Sequence, residues 1–190
     1  MIHDLSPAKI KYCPVCGLKV SREVPEDDDR LRHVCHNCGH IQYQNPKMVV
    51  GCIPEWQDRI LFCRRDIEPQ LGKWTLPAGF MENGETAADG AARETWEETR
   101  TTVRIIAPYR VYDLPWVNQV YMMFRARMLA PEFRKTRESS EVRLLDEEEV
   151  PWDDIAFPVI RTTLKSYFED RKAGRFEFLN LELEEERFQS

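Results

Sequence analysis

A loop and the helix that follows it, between Gly79 and Glu98, constrain this chain more than any other feature of its sequence. Gly79 and Gly84 bound the loop, and the alanine-rich segment after Thr86 predicts a helix over residues 87–100, with Thr86 as its N-cap. Residues three and four positions apart are neighbours on a helix, so Glu94, Glu97 and Glu98 should crowd together on one turn. Such like-charged pairs cost roughly 0.2–0.5 kcal/mol each, so this helix needs a positive partner.

A divalent cation with oxygen ligands is the partner that suits such carboxylates best. Mg2+ keeps several of its waters and binds through one or two carboxylates together with substrate phosphates. The cluster therefore indicates metal-assisted phosphoryl chemistry. The alternative interpretation is a solvated charged face, which is the usual environment of Glu and Arg on a helix.

The spacing of the whole segment favours the first interpretation. The segment is Gly79-x5-Glu85-x7-Arg93-Glu94-x2-Glu97-Glu98. It resembles the signature of the Nudix hydrolases, G-x5-E-x7-R-E-U-x-E-E-x-G-U, in which U is aliphatic. All the charged positions of that signature are present.

Three neutral positions depart from the signature. Thr95 and Thr101 stand where aliphatic residues are usual, and Arg100 replaces the glycine that normally follows the helix. Because helices commonly end on a glycine in the left-handed conformation, Arg100 should change how this helix terminates. Thr95 should change how the helix packs on the sheet.

The resemblance implies a role for each charged residue of the segment. Glu94, Glu97 and Glu98 are expected to hold Mg2+ or Mn2+, with the carbonyl of Ala78 as an additional ligand. Arg93 is expected to pair with Glu85 and so to fix the loop on the helix.

The base that activates water often comes, in relatives, from a loop outside the signature. Glu138 and Glu141 are the two candidates, although either could cap a turn or face solvent instead.

On the helix itself, we expect Ala91, Ala92, Thr95 and Thr99 to face the sheet, which leaves the carboxylates toward the mouth of the loop.

A second motif lies near the N-terminus and predicts a structural zinc site. Four cysteines form C-x2-C-x18-C-x2-C, namely Cys13, Cys16, Cys35 and Cys38, a spacing typical of two zinc knuckles. Gly17 and Gly39 follow the two pairs and permit tight turns. Redox-active or disulfide-bonded cysteines are the alternative. Cys52 and Cys63 lie in apolar strand patterns and are expected to be buried, inert thiols.

The rest of the chain predicts one α/β domain. Two strands, Met48–Ile53 and Arg59–Arg64, should form a hairpin, and further strands are predicted over Val120–Leu129 and Val142–Leu145. A second, amphipathic helix should begin at Pro158 and end at Gly174. The expected architecture is a Nudix-type α/β/α sandwich with a mixed sheet over residues 45–190, preceded by a zinc ribbon over residues 1–44.

The predicted zinc ribbon indicates which members of the family the chain resembles most. This combination looks like the bacterial NADH pyrophosphatases and, more closely, plant-type FAD and ADP-ribose pyrophosphatases, to which the run from Tyr43 to Gly51 is similar. The segment Val111–Val120 does not reproduce the motif of the NADH enzymes. Pro115 lies where ADP-ribose hydrolases often carry a proline, and Trp116 beside it could contact a substrate ring, although turn formation and packing explain both equally well.

The expected reaction is hydrolysis of the pyrophosphate bond in a nucleoside diphosphate linked to another moiety, with FAD or ADP-ribose as the substrate. NADH hydrolysis, removal of aberrant nucleoside triphosphates, and a noncatalytic nucleotide- or nucleic-acid-binding module are the alternatives. Relatives that cleave nucleotide sugars are often dimers, so a homodimer is one expectation for the assembly.

Net charge and hydropathy argue against a general nucleic-acid-binding protein and against a membrane protein. A net charge of -6 and a pI near 5.4 disfavour general attraction to nucleic acid or to an anionic membrane. The first residues have no basic segment followed by an apolar run, and no stretch reaches the ~18 apolar residues of a membrane span. We therefore expect a cytoplasmic enzyme with a small-molecule nucleotide substrate.

Overall fold

The computed structural model describes residues 10–184. The chain divides into two compact units, with the boundary between Pro46 and Lys47. Each unit is described by itself.

The N-terminal unit is a small antiparallel sheet beside the four cysteines. Its strands are β1 (Ser21–Glu23), β2 (Arg32–Val34) and β3 (Ile41–Gln42), in the order β1-β2-β3. So short a sheet buries little apolar surface, which agrees with a unit that depends on a metal for its stability.

The second unit is built on a mixed sheet and two helices. Its strands are β4 (Lys47–Trp56), β5 (Arg59–Arg65), β6 (Trp74–Thr75), β7 (Ala78–Phe80), β8 (Val103–Leu114), β9 (Gln119–Met128), β10 (Ser139–Leu145) and β11 (Leu179–Glu182). The helices are α1 (Ala87–Thr99) and α2 (Pro158–Ala173). The main sheet has the order β10-β5-β4-β9-β8-β11, in which β4 runs parallel to β9 and β8 runs parallel to β11.

Strand β4 changes its antiparallel partner along its length. Its segment Val49–Gly51 pairs with β7, whereas Glu55 and Trp56 pair with β5. Along its other edge β4 pairs with β9 from end to end. The strand that leads into the loop and the strand of the hairpin therefore lie on the same side of β4.

Two apolar cores confirm the α/β/α sandwich. One core lies between the sheet and α2 and contains Leu164, Tyr167 and Phe168 of that helix. The other lies between the sheet and α1 and contains Ala91 packed with Val50 of β4. The aromatic side chains of α2 are therefore core residues, as the helical spacing of the sequence indicates.

The long strand β8 was not predicted from the sequence. Its apolar alternation is broken at Pro108, and its pairing with β9 shifts register twice, between Ile105 and Ala107 and between Pro108 and Arg110. Bulges of this kind displace the period-two pattern by which a strand is recognised.

The prediction that Arg100 changes how α1 terminates is wrong, because the helix ends in the left-handed conformation that a glycine would adopt. Arg100 adopts the left-handed conformation with φ of 57°, and its N–H donates to the Trp96 carbonyl oxygen at 2.7 Å. That conformation costs a non-glycine residue roughly 1–2 kcal/mol. The guanidinium of Arg100 lies 4.0 Å from the centre of the Trp96 ring, a cation–π contact that offsets part of this cost.

None of the helices within residues 10–184 has the length and hydropathy needed to cross a membrane.

Candidate functional site

The loop after β7 is held by hydrogen bonds along its length. The Met81 N–H donates to the Met48 carbonyl oxygen of β4 at 3.0 Å, and the Glu82 N–H donates to Glu85 Oε1 at 2.7 Å. Gly84 has φ of 88°, in the left-handed region that favours glycine. The Thr86 hydroxyl then accepts the Asp89 N–H at 3.1 Å and begins α1, as the sequence predicts.

Arg93 joins the loop to the helix. Its guanidinium donates to both carboxylate oxygens of Glu85 (2.9 and 2.8 Å) and to the Phe80 carbonyl oxygen (3.1 Å). It also donates to Glu94 Oε1 (2.7 Å) and to Glu97 Oε2 (3.0 Å). These hydrogen bonds lower the pKa of Glu85 to about 2, so this carboxylate stays charged over the physiological range.

The three glutamates of α1 differ in their exposure. Glu94 and Glu98 are buried, with 9% and 5% of their surface exposed, whereas the side chain of Glu97 is 44% exposed. The expected inner face of the helix is correct for Ala91, Thr95 and Thr99 but wrong for Ala92, which is partly exposed. Two of the three carboxylates are therefore buried, whereas Glu97 is open to solvent.

Gly79 lies against the carboxylate of Glu94. A Cβ added to Gly79 would overlap this carboxylate, so a side chain at position 79 requires the Glu94 side chain to move. Ala78, the preceding residue, pairs with Gly51 on β4. Its assignment as a metal ligand stays a prediction.

Burial dominates the electrostatics of the two inner carboxylates. Removal from water raises the pKa of Glu98 to about 8 and also raises the pKa of Glu94, although Arg93 opposes the shift at Glu94. No Lys or Arg within residues 10–184 forms an ion pair with Glu98. Carboxylate oxygens are the ligands that Mg2+ and Mn2+ prefer, and among the described residues those of Glu98 have no basic partner, so the residues present fit such a cation.

The two candidates for the catalytic base have different surroundings. Glu138 is exposed, and its backbone is linked through Thr136 to the end of α1. Glu141 lies on β10, where it accepts a hydrogen bond from Arg143 at 2.6 Å and faces Arg64 at 3.8 Å. The choice between the two bases stays a prediction.

Two contacts of Glu98 were not foreseen. The Thr136 hydroxyl donates to the Glu98 carbonyl oxygen at 3.3 Å and accepts the Glu138 N–H at 3.2 Å, which links the end of α1 to the candidate base. The Cys63 thiol has two acceptors within reach, the Glu98 carboxylate at 3.3 Å and the Thr75 carbonyl oxygen at 3.7 Å, and the carboxylate is the nearer. Alternation along β5 places Cys63 and Phe62 on opposite faces of the sheet. No pattern within β5 or α1 predicts that Glu98 lies opposite Cys63.

Pro115 and Trp116 lie in a single 3-10 turn between β8 and β9. Pro115 is exposed, and Trp116 is partly buried against the core beside α2. Asn118 ends the turn, and its carbonyl oxygen accepts the Lys47 N–H at the start of β4 (2.9 Å). Lys47 in turn lies 4.8 Å from the ring centre of Phe80, at the beginning of the loop. The substrate role of the turn stays a prediction.

The four cysteines of the N-terminal unit converge on one point. Their Sγ atoms all lie within 4.8 Å of one another, with 3.7 Å between Cys13 and Cys38 and 3.4 Å between Cys16 and Cys35. A zinc ion bound tetrahedrally at about 2.3 Å from each sulfur requires sulfur–sulfur distances of about 3.8 Å. The arrangement fits zinc, and the described cysteines form no disulfide.

The two knuckles that carry these cysteines repeat one backbone pattern. The Gly17 N–H donates to the Cys13 carbonyl oxygen at 2.9 Å, and the Gly39 N–H donates to that of Cys35 at 2.8 Å. Both glycines have φ near 74°, as their place in a tight turn predicts. Zn2+ is thus the structural metal of this unit.

Comparison with protein families matches both units. The family described as the NUDIX domain matches residues 45–165, which is more than half of the chain. The family described as Nudix N-terminal, a zinc ribbon, matches residues 11–44.

Curated relatives carry several activities in their names. The NAD-capped RNA hydrolase NudC of Photobacterium profundum is 30% identical over 126 residues, covering 66% of this chain and 44% of that protein. The ADP-ribose pyrophosphatase of Methanocaldococcus jannaschii is 27% identical over 113 residues, covering 57% of this chain and 67% of that protein. The chain thus spans less than half the length of its NudC relative.

Among solved structures, a NUDIX hydrolase from Nitrosomonas europaea is similar over nearly its whole length. It is 52% identical, with a TM-score of 0.89, and the match covers 92% of this chain and 99% of that one. An ADP-ribose pyrophosphatase from Streptococcus suis, 18% identical with a TM-score of 0.57 over 73% of this chain and all of that one, shares the fold.

Proposed function

Because this chain belongs to the Nudix hydrolase family, we propose that it hydrolyses the pyrophosphate bond of a nucleoside diphosphate linked to another moiety. The observation that carries this proposal is the carboxylate cluster of α1, in which Glu94 and Glu98 are buried and Arg93 pairs with Glu94 and Glu97 but not with Glu98. As working boundaries we propose residues 1–44 for the zinc ribbon and 45–190 for the hydrolase domain.

Enzymes of this family use Mg2+ or Mn2+. Glu94, Glu97 and Glu98 would hold the cation, with the Ala78 carbonyl as a further ligand. When bound, the cation neutralises negative charge on the phosphate oxygens as the anhydride breaks.

The protein's own residues then position the reactants. Glu138 accepts a proton from the attacking water, whose oxygen bonds to one phosphorus while the bridging oxygen leaves with the other. Arg93 keeps the loop against the helix through Glu85. The products are two phosphomonoesters, one of them a mononucleotide.

ADP-ribose and FAD are the substrates we propose first. The sequence run from Tyr43 to Gly51 and the position of Pro115 favour them, and a relative named ADP-ribose pyrophosphatase supports the first. We place Pro115 and Trp116 at the substrate because their turn adjoins the start of β4, which also contacts the loop.

NAD(H) is the second candidate. Several relatives are named NAD-capped RNA hydrolase, and this chain shares with the family a zinc ribbon ahead of the hydrolase domain. The acidic character of the chain argues against RNA as the general substrate, so we place the free dinucleotide ahead of the capped RNA.

A substrate panel with product identification tests the proposal. ADP-ribose, FAD, NADH, an NAD-capped oligonucleotide and the nucleoside triphosphates are incubated with Mg2+ or Mn2+, and the products are separated by ion exchange. We expect AMP with ribose 5-phosphate from ADP-ribose, or AMP with FMN from FAD. If every compound stays intact at high enzyme concentration, the chain is a noncatalytic binding module. Light scattering on the same preparation tests the predicted homodimer.

A further inference from the structure

The buried carboxylate of Glu98 is held by a thiol. Cys63 on β5 is 1% exposed, and its Sγ lies 3.3 Å from Glu98 Oε2. Within residues 10–184 this thiol is the only side chain that hydrogen-bonds the carboxylate of Glu98. Glu94 and Glu97, by contrast, receive a guanidinium N–H from Arg93.

The chain contains a natural comparison for this contact. Cys52 on β4 is equally buried and lies beneath the same helix, but its thiol donates to the Ala91 carbonyl oxygen at 3.4 Å. Both cysteines therefore fill similar space between the sheet and α1. They differ in whether the thiol contacts a carboxylate.

We propose that Cys63 is a positioning residue for Glu98, whose carboxylate it orients toward the bound divalent cation. The inference rests on the proposed function, in which Glu98 is a metal ligand. One hydrogen bond to Oε2 fixes the torsion of the carboxylate and leaves Oε1 for the metal. Groups that orient metal ligands in this way commonly change metal affinity or activity by about 10–100-fold when they are removed.

The weakness of the thiol as a donor suits this task. A thiol donates a weaker hydrogen bond than a hydroxyl or a guanidinium, so it orients the carboxylate without neutralising it. The contact therefore adds no positive charge that would compete with a cation for Glu98. A charged donor at position 63 would compete with the metal for the same carboxylate.

Binding of Mn2+, followed through the electron paramagnetic resonance of the free ion, tests the inference without turnover. Cys63→Val removes the donor at similar volume, and Cys63→Ser restores a donor. Cys52→Val is the matched control, because it makes the same change in the same core away from the carboxylate. We expect about 10-fold weaker Mn2+ binding for Cys63→Val, and binding within about 3-fold of the wild type for the other two variants. Equal affinities of Cys63→Val and Cys52→Val would overturn the inference.

Infrared spectroscopy provides a measurement that leaves Cys63 in place. The four zinc-bound cysteines are thiolates and carry no S–H bond, so in Cys52→Ala the one S–H stretching band belongs to Cys63. We expect this band to shift when Mg2+ is added, because the acceptor oxygen loses charge to the metal. In Cys63→Ala, the band of Cys52 should stay constant. A Cys63 band that does not respond to saturating Mg2+ would contradict the inference.

The two proposals fail in different ways. If no dinucleotide is cleaved but Mn2+ binding still depends on Cys63, the proposed hydrolysis is wrong and the positioning role holds. If hydrolysis occurs and Mn2+ binding does not depend on Cys63, the enzyme assignment holds and the positioning role is wrong.

Discussion

Gly79 lies directly against the carboxylate of Glu94, so that a methyl group added at position 79 would overlap it. The backbone of Gly79 is not in the left-handed region, so the requirement for glycine here comes from space and not from conformation. The substitution Gly79→Ala therefore tests the position of Glu94 without straining the chain.

We expect Gly79→Ala to lower kcat/KM by about 100-fold or more, since it displaces one carboxylate of the cluster. Steady-state kinetics on the preferred dinucleotide provides the measurement. Gly84→Ala is the control, because Gly84 has positive φ and no neighbouring atom within 4 Å of an added Cβ. That variant should lose stability and keep most of its kcat/KM. A similar loss of kcat/KM in both variants would contradict the steric explanation.

The substitution Glu98→Gln should separate stability from activity. Glu98 is 5% exposed, and burial raises its pKa to about 8 from an ordinary value of 4.5, so folding without metal at neutral pH requires this carboxyl to take up a proton, which costs stability. Without added Mg2+ or Mn2+, we expect the variant to melt about 3 °C or more above the wild type, which corresponds to about 1 kcal/mol in a domain of this size. Its metal-dependent turnover should fall by about 100-fold or more.

The half-exposed Glu97 is the matched position for that experiment. Glu97→Gln should reduce turnover as well, but its melting temperature should stay close to that of the wild type, because its charge is already solvated. Circular dichroism gives the melting temperatures. Normal turnover in the double variant would exclude the proposed metal site.

The two candidate bases can be separated by paired substitutions. The Glu138 N–H donates to Thr136, whose hydroxyl donates to the Glu98 carbonyl oxygen, while Glu141 is engaged by arginines. We expect Glu138→Gln to lower kcat by roughly 10²–10⁴-fold with little change in KM, and Glu141→Gln to change kcat by less than about 3-fold. The reverse order would assign the base to Glu141.

The Glu85–Arg93 ion pair should make stability depend on pH in the acid range. The pKa of Glu85 is lowered to about 2 in the folded protein, mainly by hydrogen bonds from Arg93, whereas its ordinary value is 4.5. The Glu85 carboxyl therefore binds a proton less tightly in the folded protein than in the unfolded chain. The Glu85–Arg93 pair consequently stabilises the fold above pH 4.5 and loses its effect as the pH falls toward 2.

Melting temperatures of the wild type and of Glu85→Gln between pH 7 and pH 3 test this linkage. We expect the variant to melt lower at pH 7, with the difference narrowing steadily below pH 4.5. Acid release of zinc affects both proteins equally and cancels in the difference. If the difference in melting temperature stays constant across this range, the Glu85–Arg93 pair does not couple protonation to stability.

Removal of zinc should unfold the N-terminal unit. We expect one zinc per chain by elemental analysis, and none after Cys16→Ser together with Cys35→Ser. Because residues 11–44 have little apolar core, their amide resonances should collapse into the random-coil region when zinc is lost. Resonances of residues 47–184 should keep their dispersion, since that unit has two cores of its own. Retained dispersion in the ribbon without zinc would contradict a structural metal.

The sequence predicted the residues of the site better than their environment. Spacing alone grouped Glu94, Glu97 and Glu98, because neighbours on a helix follow from its geometry. The four cysteines were grouped by the known spacing of zinc knuckles. The pairing of Arg93 with Glu85 followed from the family resemblance.

The burial of Glu98 and its contact with Cys63 depend on tertiary packing. Both follow from the way α1 packs on β5, and the residue pattern of neither segment predicts that packing. For a similar reason β8 was missed, since its bulges around Pro108 are set by its pairing with β9 and not by its own alternation. Local patterns therefore predicted the elements and motifs, and long-range packing decided which groups meet.

The change of partner along β4 brings two different strands to the carboxylate cluster. Glu94 touches the strand that pairs with the beginning of β4, and Glu98 touches the strand that pairs with its end. A one-residue insertion in β5 would turn Cys63 to the opposite face and put a core residue beneath the carboxylate. The length of β5 is therefore constrained by the carboxylate cluster, although this strand contributes no carboxylate to it.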